Sequence, residues 1–286
     1  GDEKQPDGVN VSGALRILEQ HHDQPFFIAL GIHKPHDPFV APKEYFDLYP
    51  KGSTKLAMEP PDRSPQVRHA IPNHRDFAGF TDRERIEFKR AYHACVSFAD
   101  AQIGRVLDAL DRLKLWDNTI VILIGDHGYH LGEHEWWNKV TVYELGTRSP
   151  MIAWVPGAKG MGKASDAIIE FIDLYPTLAD YAGLAAPHKL SGTSLRAVFD
   201  DPSKPGKQAA WSQVNRGKAI GRSVRTARWR YTEWGPNGRE GLELYDHEHD
   251  TGEYHNLAEV PELSLVRADL SKLLASGFPP QKLIKP

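Results

Sequence analysis

The stretch Thr119-Ile-Val-Ile-Leu-Ile124 runs directly into Gly125-Asp126-His127-Gly128, and this junction decides how the rest of the chain is read. An unbroken apolar, largely β-branched run without alternation is what a strand covered on both faces requires. In open α/β sheets, ligands bind just beyond the carboxyl ends of such strands. Gly125 and Gly128 permit a tight turn and leave room for a ligand. Asp126 offers an oxygen to a hard divalent cation, and His127 adds a neutral nitrogen. On these four residues alone, a turn-forming aspartate beside a solvated histidine is an equally good description.

Toward the N-terminus, Pro25-Phe-Phe-Ile-Ala-Leu-Gly-Ile32 is a second apolar run, followed by the polar His33-Lys34-Pro35-His36. It predicts a buried strand opening into a loop. Between Pro42 and Phe80 no period survives among the prolines and charges, which predicts a long surface excursion. Thr81 with Glu84 has capping-box spacing for a helix whose apolar positions run from Ile86 to Leu110. The single cysteine, Cys95, falls on that apolar stripe and reads as a small core residue, not a nucleophile.

Toward the C-terminus, Pro150 to Val155 is strand-like, and Ala167 to Ile172 leads to Asp173 as the cap of a helix ending at Gly183. Strands alternating with helices predict the α/β class, a mostly parallel sheet flanked by helices. After about Pro187 the segments shorten. Val224–Trp234 and Leu242–Asp246 predict a smaller C-terminal antiparallel sheet closed by a helix over Leu263–Leu274. The organisation expected is residues 1–186 as an α/β domain and 187–286 as a small α+β subdomain.

A formal net charge of -3 on 286 residues gives no electrostatic reason for a nucleic-acid partner. One cysteine permits no internal disulfide, so the redox clue to compartment is missing. No run is long enough to span a bilayer, and the polar first residues lack a signal-peptide core.

The longer segment Gly125 to Lys139, Gly-Asp-His-Gly-Tyr-His-Leu-Gly-Glu-His-Glu-Trp-Trp-Asn-Lys, resembles the second signature of the sulfatase family, in the alkaline-phosphatase-like superfamily. Pro25 to Phe39, Ala91 to Arg105, Asp173 to Leu178, and Leu244 to Asp246 with Asn256-Leu257 resemble further blocks of that family in order. His33-Lys34-Pro35-His36 is most similar to the iduronate-2-sulfatase-like branch. The resemblance implies that Asp126 and His127 are ligands of a divalent metal, expected to be Ca2+ with Mg2+ as the alternative. It implies that Lys139 holds a sulfate oxygen and that a protonated His33 assists departure of the alcohol. An ammonium at Lys139 also has an independent rationale, since it balances charge developing on the transferred group.

Lys34 and Tyr129 are candidates for substrate contact, although a loop lysine and a packing tyrosine describe them equally well. His127, His130 and His134 have the wrong spacing for a helical zinc site, and His130 and His134 are expected at a pocket rim or on the surface. The family's Cys-x-Pro-Ser-x-Arg or Ser-x-Pro-x-x-Arg motif, whose Cys or Ser becomes formylglycine, is absent from these 286 residues. The expectation is therefore a C-terminal portion, inactive alone, that works with an N-terminal half carrying the formylglycine. A signal peptide there would make the protein periplasmic, secreted or lysosomal.

The substrate implied is a sulfated carbohydrate or another sulfate ester. Two other functions fit the same residues: hydrolysis of a phosphomonoester or phosphonate ester within the superfamily, and non-catalytic binding of sulfated glycans.

Overall fold

The computed structural model describes residues 1–72, 77 and 79–278. The chain divides into two compact units, Gly1–Met58 with Arg75–Ile120, and Glu59–His74 with Val121–Pro286. The boundary expected near residue 186 falls inside the second unit.

The first unit is helical, built from α1 (Pro6–His21), α2 (Lys43–Asp47) and α3 (Asp82–Arg112). The capping box forms as the spacing predicts: Glu84 N–H donates to Thr81 Oγ1 at 3.3 Å, and Thr81 N–H donates to Glu84 Oε2 at 2.8 Å. Ala94, Cys95, Phe98 and Gln102 of α3 are buried, and α1 and α2 pack on this helix. Burial pushes the Cys95 thiol up to about 11, which suits a core residue and not a thiolate.

The strand expected at Pro25–Ile32 does not form: no ladder is present there among the described residues, and Phe27 is 80% exposed. Apolar composition marks a segment that can be buried, but a strand exists only where a second backbone accepts its hydrogen bonds.

The second unit begins with β1 (Val121–Ile124), α4 (Glu144–Thr147) and β2 (Met151–Trp154). β1 and β2 pair antiparallel, Val121 opposite Trp154 and Ile124 opposite Met151. The α/β class holds, but the expected parallel direction does not: among the described residues the only parallel pairing is the bridge between Ile168 and Gly206. Nor is β1 covered on both faces, since Ile124 is 41% exposed; an unbroken apolar run carries no information about direction.

Next come α5 (Leu174–Tyr181) and α6 (Arg196–Asp200). Asp173 does not cap α5. It is buried and accepts from Glu170 N–H at 2.9 Å and Thr193 N–H at 2.8 Å, with Lys207 Nζ at 2.7 Å. The local turn at Glu170 and the distant donors Thr193 and Lys207 together occupy its carboxylate.

A four-stranded antiparallel meander follows: β3 (Ala210–Arg216), β4 (Ala219–Arg225), β5 (Trp229–Trp234) and β6 (Gly241–Asp246). The single strand expected over Val224–Trp234 is split by a turn closed by Thr226 N–H to Trp229 O at 2.8 Å. Alternation puts Val224, Tyr231 and Leu244 on one face, where Leu270 and Leu274 of α7 (Ser264–Gly277) cover them. Trp234 and Tyr245 lie on the other face against Val142, Tyr143 and Ala70. Each fully buried aliphatic side chain here stabilises the fold by ~1.5–3 kcal/mol. Ala70 therefore corrects part of the surface-excursion expectation: Val67, Ala70 and Ile71 belong to this core.

Candidate active site

Gly125 N–H donates to Pro150 O at 3.0 Å, extending the β1–β2 ladder by one rung before the chain turns. Gly128 is required by space, because a Cβ there would lie 2.0 Å from Leu145 O. The turn leaves the Asp126 side chain 88% exposed, with its Oδ2 3.6 Å from His127 Nε2. His127 Nδ1 lies 2.8 Å from Gly128 O, so Nδ1–H donates to that carbonyl and the Nε2 lone pair remains on the Asp126 side. A carboxylate oxygen and an imidazole nitrogen thus lie side by side. The pair fits part of a hard-cation shell, but a complete Ca2+ shell takes about 6–8 ligands.

Lys139 is positioned through its backbone. Its N–H donates to Asn138 Oδ1 at 2.8 Å, and its carbonyl accepts from Trp136 Nε1 at 2.9 Å. The neighbouring Val140 has φ 67°, a left-handed conformation rarely taken by a β-branched residue. Arg216 donates to the Val140 carbonyl and holds it there. Arg216 also donates to His69 O at 3.1 Å and Ala70 O at 3.4 Å, joining three segments of the unit. No described residue pairs with the Lys139 ammonium.

In the first unit, Asp7 is buried and accepts from His33 N–H at 2.8 Å and Lys34 N–H at 2.9 Å, which anchors the loop. The exposed His33 ring stacks on His36 with centroids 4.7 Å apart. Lys34 Nζ donates to His36 O at 3.1 Å and Pro38 O at 2.6 Å, so its charge is engaged in shaping its own loop. In the second unit, Tyr129 OH donates to Trp137 O at 3.0 Å.

His130 and His134 depart from their expected surface placement, since both are buried. His130 bonds Thr141 Oγ1 through Nε2 at 2.8 Å, while its N–H donates to Asn138 O at 3.0 Å, directly before Lys139. Burial, reinforced by repulsion from His134, brings its pKa down to about 4. His134 stacks on Tyr143 at 4.1 Å and donates from Nε2 to Gly252 O at 2.9 Å, and burial lowers its pKa as well. His130 thus holds the backbone directly before Lys139, and His134 packs edge-on against its ring with centroids 5.7 Å apart. Local polarity gave no sign of it.

A further buried network also escaped the sequence. Arg230 is buried between Glu144 and Glu253, with Arg225 and His247 beside them. Burial opposes ionisation of Glu253, but Arg230 and His247 outweigh it and bring the pKa down to about 2. Glu144, His247 and Glu253 could geometrically hold a metal, as could Asp246, Glu248 and His249. Arginines already neutralise the carboxylates of both groups, which therefore read as ion-pair networks.

Fold and site together define an α/β protein with an aspartate and a histidine side by side at a strand exit and a lysine, its backbone held, 13 positions beyond the aspartate. The profile described as Sulfatase matches residues 3–184, and that described as N-sulphoglucosamine sulphohydrolase, C-terminal, matches residues 132–277. The chain belongs to the sulfatase family.

It is 31% identical to human iduronate 2-sulfatase over 88% of this chain and 62% of that one. It is 34% identical to a sulfatase of Formosa agariphila over 90% of this chain and 51% of that one. The chain thus spans about half to three fifths of the length of these relatives.

Among solved structures, one in complex with its substrate D-glucosamine-2-N,6-O-disulfate superposes with TM-score 0.82 at 21% identity, covering 95% of this chain and 69% of that one. The phosphonate monoester hydrolase of Silicibacter pomeroyi superposes with TM-score 0.83 at 26% identity, covering 96% and 60%. The fold is that of the alkaline-phosphatase-like sulfatases, a metal-dependent family. No helix among the described residues is long and apolar enough to cross a membrane.

Proposed function

We propose that this chain is the metal- and lysine-bearing portion of a sulfuric ester hydrolase acting on a sulfated sugar. The observation that carries the reading is the backbone clamp on Lys139, which leaves its ammonium unpaired among the described residues while Asn138, Trp136 and Arg216 hold its segment in place. Such a cation keeps its charge available to a sulfate oxygen.

Asp126 and His127 would hold the metal, Ca2+ in the first instance and Mg2+ as the alternative, and a bound divalent cation would balance charge on the ester. Lys139 would neutralise the sulfuryl oxygens, and the family resemblance gives His33 the role of protonating the alcohol oxygen that leaves as the nucleophile bonds to sulfur. The formylglycine nucleophile is expected on an N-terminal half outside these 286 residues, which would act as a partner of this chain. Lys34 and Tyr129, each already bonded within its own loop, would at most line the approach of substrate.

Phosphonate-ester hydrolysis is the second reading, favoured by the 26% identity to the Silicibacter pomeroyi enzyme. Both readings predict no turnover by the isolated chain, for lack of a nucleophile. The test uses the complete protein with Asp126→Ala, measuring metal content and turnover of paired sulfate and phosphonate esters. Loss of both metal and sulfate turnover is the expected result. Full metal occupancy with near-normal turnover would overturn the metal assignment, and preference for the phosphonate would establish the second reading.

A further inference from the structure

We infer that Arg68 is a specificity residue that holds a second anionic group, a carboxylate or another sulfate, on the substrate that Lys139 binds; this rests on the sulfate-ester reading above. Arg68, His69, Asn138, Lys139, Asn215 and Arg216 line one cavity of about 810 Å³ within the second unit. That volume falls in the ~300–1,000 Å³ range of small-molecule sites.

The cations of this cavity are not equivalent. Arg216 spends its guanidinium on the carbonyls of His69, Ala70, Asn215 and Val140, so it builds the wall and has little left for a ligand. His69 Nε2 pairs with Glu240 at 3.0 Å. Lys139 and Arg68 remain, and neither has a partner among the described residues. One sulfate monoester carries one negative charge, which Lys139 balances. Arg68 is a surplus cation in the same cavity, with the planar donor fork that suits a carboxylate or sulfate.

Its location is held even though its side chain is exposed. Val67 O accepts from Ala70 N–H at 3.0 Å, Arg216 takes the His69 carbonyl, and Ala70 is buried in the core. Val67 also packs so close to Gly241 that a Cβ there would lie 2.3 Å from Val67 Cγ1. Arg68 is therefore anchored on both sides. The amides of Asn138 and Asn215 line the same cavity and supply neutral hydrogen-bonding groups, as sugar hydroxyls need.

The test is calorimetric titration of the 286-residue chain with three sugars: N-acetylglucosamine 6-sulfate, glucosamine 2-N,6-O-disulfate and a 2-O-sulfated hexuronic acid. At least one of the two dianions is expected to bind about tenfold tighter than the monoanion, the worth of one charge-assisted bidentate contact. Arg68→Gln should remove that advantage while leaving the monoanion within about twofold, and Arg68→Lys should retain part of it. Whichever dianion loses its advantage identifies the second group. No dianion preference in the unsubstituted chain, a preference that survives Arg68→Gln, or an equal loss for all three sugars would overturn the inference. Lys139→Gln should weaken all three; if it weakens none, the sulfate-ester reading fails, whatever Arg68 does.

Discussion

Two lysine-bearing loops of this chain differ in what the fold does with the charge. In the His33–Pro38 loop, Lys34 turns its ammonium inward onto the carbonyls of His36 and Pro38. In the Gly125–Val140 segment, Asn138 and Trp136 satisfy the Lys139 backbone, and Arg216 satisfies the carbonyl that follows. The first lysine supports its loop. The second is supported by its surroundings, which leaves its charge for a ligand. A buried or occupied donor set, more than residue type, separates a structural cation from a chemical one.

The largest expected effect tests that contrast directly. In the complete protein, Lys139→Ala should lower kcat/KM for a sulfate ester by about 10²–10³-fold, as loss of an oxyanion-stabilising donor does. Lys34→Ala should cost less than about tenfold and register mainly as lower stability. Steady-state kinetics beside thermal melts of both variants measures this. Equal kinetic losses would erase the distinction between the loops.

The histidines of the two segments, exposed at 33 and 36 and buried at 130 and 134, offer a second, intermediate contrast. The Lys139 segment rests on His130, whose pKa burial and His134 hold down to about 4. An unfolded histidine titrates near ~6.5, so the unfolded chain binds a proton that the folded one refuses. The stability that His130 contributes is fully present above that value and is lost as pH falls through the window toward 4. His130 alone should remove ~2 kcal/mol by pH 5. Hydrogen exchange at pH 7.5 and pH 5 should show protection lost around residues 130–141 and little change at 33–38. A uniform loss would show that acid acts elsewhere.

The smallest effect concerns strain. Val140→Gly removes a side chain that disfavours φ 67°, and should raise stability by about 1 kcal/mol in urea unfolding. A decrease would mean that the Val140 side chain contributes packing that outweighs its backbone cost.

Much of the local structure was legible in the sequence. The presence of a strand before Asp126, the close approach at Gly128 and the Thr81 capping box were each read from residues a few positions apart, and each forms. The order of blocks from Pro25 to Leu257 pointed to the sulfatase family, which the profile over residues 3–184 bears out. Where local pattern was asked for nonlocal facts, it failed. Phe26 and Phe27 looked like strand residues but have no ladder among the described residues, and Val224–Trp234 looked continuous until a turn divided it.

By itself, then, the sequence determined the α/β class, the turn chemistry and the residue types gathered at the strand exit, because those depend on short-range sterics and on a motif read in order. Tertiary structure decided the antiparallel direction of β1 and β2, the burial of His130 and His134, and which lysine keeps its charge free. Those outcomes rest on partners far along the chain: Glu59 on the His134 N–H, Gly252 on its ring and Arg216 on Val140. Such hydrogen bonds have no local periodicity to betray them, since only the packed core brings their donors and acceptors within reach.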